Sequence, residues 1–162
     1  MKDKLSTQQL VQLALLTAMT VAMGFIVQVP NPIDKGVVTL IDAGILLAGG
    51  LFGVVGGAIV GGLSGLLFDL LSGYPNWAVL SLLIHGLQGY VFARLYPKTK
   101  WGAYLLSSMV MVVGYALATW WMYGLAAAMA AIPSNLFQVG VSVVVAWLLI
   151  PQVARFLKRV KV

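Results

Sequence analysis

Residues 101–154 read WGAYLLSSMVMVVGYALATWWMYGLAAAMAAIPSNLFQVGVSVVVAWLLIPQVA, without one Asp, Glu, Lys, Arg or His. Such a run belongs in a lipid bilayer, or in an apolar core larger than a chain of 162 residues can readily enclose. Charge returns at both ends of the run. Arg94, Lys98 and Lys100 precede it, and Arg155, Lys158, Arg159 and Lys161 follow it. With Lys2 and Lys4, nine of the ten cationic residues fall in three clusters. Hydrophobic residues make up 61% of the chain and charged ones 9%, against about a quarter charged in soluble domains. The sequence describes a polytopic membrane protein.

A spanning helix needs about 20 apolar residues, and backbone polar groups in lipid must be paired internally. The apolar runs lack the alternation of barrel strands, so the fold class is all-α. The first run covers residues 10–29 and breaks at Pro30-Asn31-Pro32. The second covers residues 37–71, and as one helix would reach about 52 Å, too long for the bilayer. Cytoplasmic loops collect Lys and Arg, and a split near Gly53 gathers all three basic clusters on one side. Further spans are expected at 77–93, 102–123 and 134–156. Residues 1–162 therefore form a single domain of six transmembrane helices with cytoplasmic N- and C-termini, Lys35 alone among the cations facing outward.

A cleaved signal peptide at the amino terminus is the competing arrangement; it leaves five helices and sends loop 94–100 outside. The net charge of +6 is accounted for by basic loops against anionic lipid, without nucleic acid. The absence of cysteine rules out a disulfide scaffold and thiolate chemistry.

Glycines stand at 49, 53, 57, 61 and 65, with others at 44, 50, 56 and 62. Small residues four apart let helices approach closely in lipid, so this segment is expected to pack as a tight hairpin against its neighbours. Ala14, Ala18 and Ala22 form a second small-residue line, on one face of the first helix. It serves either internal packing or the docking of another membrane protein.

Polar residues at membrane depth need partners or a wet cavity. Trp77, Ser81, His85 and Gln88 share one helix face, as do Asn135, Gln138 and Ser142. Asp69 and Tyr74 lie at the outer end of the third helix, and Tyr115, Thr119, Trp120, Trp121 and Tyr123 in the outer half of the fifth. Their convergence at one depth predicts a pocket open to the outside. Each has a plainer reading: His85 as hydrogen-bonded packing, the Trp pair and Tyr123 as an interfacial belt, Asp69 as a cap, and Asn135 as first-turn capping after Pro133. A single His predicts no metal site. No phosphate-binding G-x-x-x-x-G-K-[ST] loop occurs, and no nucleophile–base–acid set is present. The sequence therefore calls for no enzyme and no cofactor.

The stretch from Asp42 to Gly53, then Gly56-Gly57-Ala58 and Gly61, resembles the second and third helices of substrate-binding (S) components of energy-coupling factor (ECF) vitamin transporters. Asp69-Leu70-Leu71-Ser72-Gly73-Tyr74, Leu83-Ile84-His85-Gly86-Leu87-Gln88-Gly89 and Pro133-Ser134-Asn135-Leu136-Phe137-Gln138 are similar to that family too. His85 and Gln88 depart from the Lys and Glu of many relatives. The resemblance implies a vitamin-binding pocket near the outer face of a plasma-membrane protein. It also implies a transmembrane coupling (T) protein and two cytoplasmic ATPase subunits as partners. An alanine line in the first helix, matched by Ala14, Ala18 and Ala22, is the implied docking surface.

Anionic vitamins require a cation in a low-dielectric pocket, and the outer half offers only Lys35. Neutral hydrogen-bonders and aromatics suit a flat uncharged heteroaromatic, and hydroxymethylpyrimidine and pyridoxine fit. The expected substrate-binding residues are Asp69, Tyr74, Trp77, His85, Gln88, Tyr115, Asn135 and Gln138, with the ring stacked on Trp77 or Tyr74. The rival readings are a structural or regulatory membrane protein without a ligand, and an S component for another vitamin.

Overall fold

A computed structural model describes residues 5–31 and 36–160. Lys2, Lys4, Lys35 and Lys161, which the charge argument used, lie outside the described residues. Helix α1 (Thr7–Ile26) is followed by strands β1 (Gln28–Asn31) and β2 (Gly36–Thr39), then by helices α2 (Ile41–Leu71), α3 (Pro75–Leu95), α4 (Lys100–Tyr123) and α5 (Leu125–Val160). All five helices are long and apolar enough to cross a membrane.

Helix α1 opens on a reciprocal cap in which the Gln9 amide donates to Ser6 Oγ and the Ser6 amide to Gln9 Oε1. This satisfies two donors that a helix start otherwise leaves unpaired. Pro30 and Asn31 of the expected Pro30-Asn31-Pro32 turn lie in β1, which pairs antiparallel with β2, Gln28 opposite Thr39 and Asn31 opposite Gly36; Pro32 lies outside the described residues. Four-residue strands carry little periodicity, and Pro30 obscures even that. A proline lacks an amide for the ladder but is tolerated at an edge, and both strands of a two-stranded sheet are edges.

Helix α2 is interrupted at Gly53, whose φ of 68° and ψ of −159° are not helical. That positive φ is open to glycine without steric cost. The chain doubles back there: Ala48 packs with Val60, and Ile41 with Phe68. Residues 41–52 alone reach about 18 Å at 1.5 Å per residue, and the β1–β2 hairpin joins α1 to this short rod. The glycine line divides its work at the same place. A side chain at Gly53 would meet nothing within 4 Å, whereas at Gly57, Gly61 or Gly65 it would strike the backbone carbonyls of Gly89, His85 or Ser81 on α3. Gly53 makes the reversal and the others seat α3. Close backbone contact of this kind is how helices associate where apolar burial gives no advantage.

Helix α5 starts at Leu125 rather than in the expected region of Ser134, and runs through Pro133. Proline inside a helix cannot donate to the carbonyl four residues back, which here is that of Met129. Ser134 Oγ donates to the Ala131 carbonyl at 2.8 Å. Asn135 is therefore inside a helix, and the first-turn capping role falls away. A single residue, Gly124 (φ 87°), separates α4 from α5.

The large apolar side chains of α1, α3, α4 and α5 point outward in number. Thr17, Thr20, Asp42, Ser64, Ser81, His85, Gln88, Ser107, Thr119, Gln138 and Ser142 are buried. This inversion suits a chain whose solvent is lipid. Thr17 and Thr20 face inward by donating to their own helix, to the carbonyls of Leu13 and Leu16 at 2.8 Å.

The two ends of the bundle differ. One carries Gly53, the turn between α3 and α4, and Arg94, Lys98, Lys100, Arg155, Lys158 and Arg159, over a core that includes Leu46, Phe92, Tyr104 and Ile150. The other carries β1–β2, the turn 72–74 and Gly124. The cavity opens in this second half.

Candidate ligand-binding cavity

Chain order places the cavity. Helices α3 and α5 contribute residues from their first halves, α4 from its second half, α2 from both its start and its end, and β2 adds Val37 and Thr39. Side chains from all of these line one cavity. Seven of the eight residues expected at the site line it: Asp69, Tyr74, Trp77, His85, Tyr115, Asn135 and Gln138. Gln88 is the exception. It is 1% exposed and lies behind His85, one turn deeper.

Trp77 supplies the aromatic wall, 5.8 Å from the Tyr115 ring and 6.0 Å from the Tyr123 ring. Trp120 and Trp121 are 56% and 80% exposed and line no part of the cavity. They face outward, the position of an interfacial belt. Thr119, on the same turn, is buried and does line the cavity.

Beneath the floor lies Asp42, with no solvent exposure. Its Oδ1 accepts from Gln88 Nε2 at 2.7 Å and its Oδ2 from Gln138 Nε2 at 2.6 Å. Gln138 Oε1 accepts from the Thr39 amide at 2.8 Å, fastening β2 to α5. On the other side Gln88 Oε1 meets His85 Nδ1 at 2.9 Å, His85 Nε2 meets the Tyr115 hydroxyl at 3.0 Å, and that hydroxyl meets Ser81 Oγ at 2.6 Å. A continuous chain of polar contacts thus runs from β2 through α5, α2 and α3 to α4. Buried polar groups are costly without partners, and every member of this chain has one.

Two groups facing the cavity are left over. Asp69 Oδ2 is buried without a hydrogen-bond partner among the described residues. The Asn135 side chain lines the cavity and bonds no side chain or backbone group among the described residues. Lys and Arg are missing from the lining, and no group of three or more His, Cys, Asp or Glu is placed to hold a metal among the described residues. The lining thus offers aromatic faces, hydrogen-bonding groups and one carboxyl with an unpartnered oxygen.

Asp42 and Thr39 are not among the expected site residues. Asp42 is readable in the sequence, being one of only two carboxylates within the apolar runs, and an ionisable residue at membrane depth is a functional candidate in itself. Thr39 takes part through its backbone amide, which no side-chain pattern announces.

The alanine line lies elsewhere. Ala14, Ala18 and Ala22 are exposed on the outer face of α1, while Leu13, Thr17, Thr20, Val21 and Gly24 form its buried face. Internal packing within this chain is therefore not what the alanines serve.

Comparison with known proteins places these features in context. A family model described as "ECF-type riboflavin transporter, S component" matches residues 4–155. The chain is 40% identical over 154 residues, 94% of its length and 92% of the relative's, to a thiamine precursor transporter of Lactococcus lactis subsp. cremoris. It is 34% identical over 119 residues, 70% of its length and 79% of the relative's, to an uncharacterized protein of Pyrococcus woesei. A solved structure of the S component of a bacterial ECF transporter superposes with a TM-score of 0.70 at 26% identity, covering 93% of this chain and 98% of that one.

Proposed function

The chain belongs to the family of ECF-type riboflavin transporter S components, and on that premise we propose that it captures hydroxymethylpyrimidine, or a closely similar neutral heteroaromatic, from outside the cell. Membership makes it a multi-pass plasma-membrane protein and a transporter component, outside any enzyme family. The family also implies work alongside a T protein and ATPase subunits.

The observation that carries the substrate reading is the cavity lining: aromatic rings and neutral hydrogen-bonders, one carboxyl with an unpaired oxygen and, among the described residues, neither Lys nor Arg. An anion entering such a site would lie unpaired at low dielectric. A pyrimidine stacks on Trp77 and offers its amine, hydroxyl and ring nitrogens to Asp69, Asn135 and the polar floor. The name of the Lactococcus relative, a thiamine precursor transporter, supports the same choice. Pyridoxine shares the chemistry, and riboflavin, the vitamin in the family's description, is the flat competitor. Mass spectrometry of the protein after mild extraction tests the reading. A co-purifying pyrimidine is expected; riboflavin, which would colour the preparation, or an anionic vitamin overturns it.

We further propose that the halves of α2 cross separately, giving six crossings with both termini and the turn between α3 and α4 in the cytoplasm. The basic residues at that end support it. The chain has no native cysteine, so a single Lys98→Cys variant reports cleanly. It is expected to resist an impermeant thiol reagent in intact cells and to react after permeabilisation. Labelling from outside would reverse the orientation.

Ala14, Ala18 and Ala22 are proposed as the surface that meets the T protein. Small side chains exposed to lipid gain nothing there, but they admit a second helix to close range.

A further inference from the structure

We propose that Asp69 is the specificity-determining residue of the cavity, a carboxyl that destabilises the ligand-free chain and is satisfied by the amino edge of a bound ring. This rests on the proposed reading of the cavity as a heteroaromatic site, and names the group on the ligand that the site reads.

Two carboxyls lie within the apolar runs, Asp42 and Asp69, and the fold treats them differently. Asp42 accepts from Gln88 on one oxygen, at 2.7 Å, and from Gln138 on the other, at 2.6 Å. Asp69 shares a hydrogen bond with Ser81, but its Oδ2 is buried without a partner among the described residues. A buried polar atom left unpaired is a net loss to the folded state. Its place on the helix adds to that loss. Asp69 is in the last turn of α2 (Ile41–Leu71), where the carbonyl end of the helix gathers negative partial charge. A carboxyl suits the first turn of a helix and is misplaced in the last. No basic residue in that turn offsets it, and no Lys or Arg lines the cavity among the described residues.

Taking the carboxyl away therefore relieves the free chain. Ser81 keeps a partner, since the Tyr115 hydroxyl stands 2.6 Å from its Oγ. Asp69 borders the cavity, so an apolar replacement faces space that is already there instead of leaving a gap in the core. A group retained against stability is a mark of function. What satisfies it is an amino group beside a ring nitrogen. Such an amidine-like edge pairs with a carboxyl whichever of the two holds the proton. In the amidinium–carboxylate pair and in the neutral amidine–carboxylic acid pair alike, the amino N–H donates to a carboxyl oxygen.

The test uses the full chain in lipid nanodiscs as wild type, Asp69→Ala and Asp69→Leu. Thermal unfolding is followed without ligand. Calorimetry then compares the amino-substituted hydroxymethylpyrimidine with the same ring lacking the amino group. Both variants are expected to melt about 2–4 °C higher than the wild type. Both are expected to bind the amino ring about ten- to a hundred-fold more weakly. Losing the amino group should weaken binding to the wild type by about tenfold or more, and to the variants by about threefold or less, because their half of the pair is already gone. Unchanged or lower melting temperatures in both variants overturn the destabilising role. Equal losses in wild type and variants when the amino group is removed overturn the contact with it. If the wild type binds neither ring while both variants melt higher, the proposed substrate fails, and the amino edge with it, whereas the destabilising carboxyl stands.

Discussion

Replacing Ala18 by Trp is expected to abolish uptake and to prevent assembly with the T protein, while the isolated chain binds its ligand as before. The residue sits mid-way along the alanine line of α1, exposed on the face away from the bundle. An indole there meets lipid in the free chain and clashes with nothing inside it. A partner helix packed at close range has no room for it, because small-residue contacts depend on backbone approach. The cavity is formed by β2 and helices α2 to α5, without α1, so ligand affinity should be untouched. The measurements are whole-cell uptake, co-purification of the T protein and calorimetry on the isolated variant. If assembly survives Ala18→Trp and equivalent changes at Ala14 and Ala22, the partner docks elsewhere. Loss of ligand binding instead would mean that the substitution disturbs the bundle.

The same helix shows why much of this protein is legible in its sequence. A face without large side chains, repeated every fourth residue, can be read directly from the letters. So can the reversal in residues 37–71, because a bilayer has one thickness and cationic residues gather on one side of it. Gly53 takes the positive φ at which α2 is interrupted. The polar stripes Trp77–Ser81–His85 and Asn135–Gln138 are legible for a similar reason: lipid leaves such groups no alternative to an inward face.

What the letters do not carry is pairing across elements. Gln88 sits on the same stripe as His85, yet it turns to Asp42 and lies behind the wall. Spacing gives the face of a helix but not its depth relative to a neighbour. The β1–β2 hairpin leaves no sequence signal because it is made of backbone hydrogen bonds in short strands. Helix α5 continues through Pro133, although local propensity opposes a proline inside a helix.

Gln138→Leu is expected to cost more than the loss of one ligand contact. In the folded chain Gln138 donates to Asp42 at 2.6 Å and accepts from the Thr39 amide at 2.8 Å. Leucine keeps the volume and supplies neither bond. Asp42, with no solvent exposure, and Thr39, buried as a residue, are then left with unpaired groups. Each orphaned buried group costs about 1–3 kcal/mol, more where it is charged. The two share one network and are not independent, so a total of about 2–4 kcal/mol is expected. Part of that appears as a lower melting temperature. The rest appears in affinity, because β2, which Gln138 holds to α5, contributes Val37 and Thr39 to the cavity. A ten- to hundred-fold weaker Kd is expected, on the order of 1.4–2.8 kcal/mol. Asn135→Ala is the control. Asn135 lines the cavity and bonds no other described residue, so its removal should weaken ligand binding and leave the melting temperature of the ligand-free protein unchanged. Calorimetry and thermal unfolding on both variants separate the two roles. Unchanged stability and affinity in Gln138→Leu would remove the fastening of β2 from the account. Unchanged affinity in both variants would move the ligand to another part of the bundle.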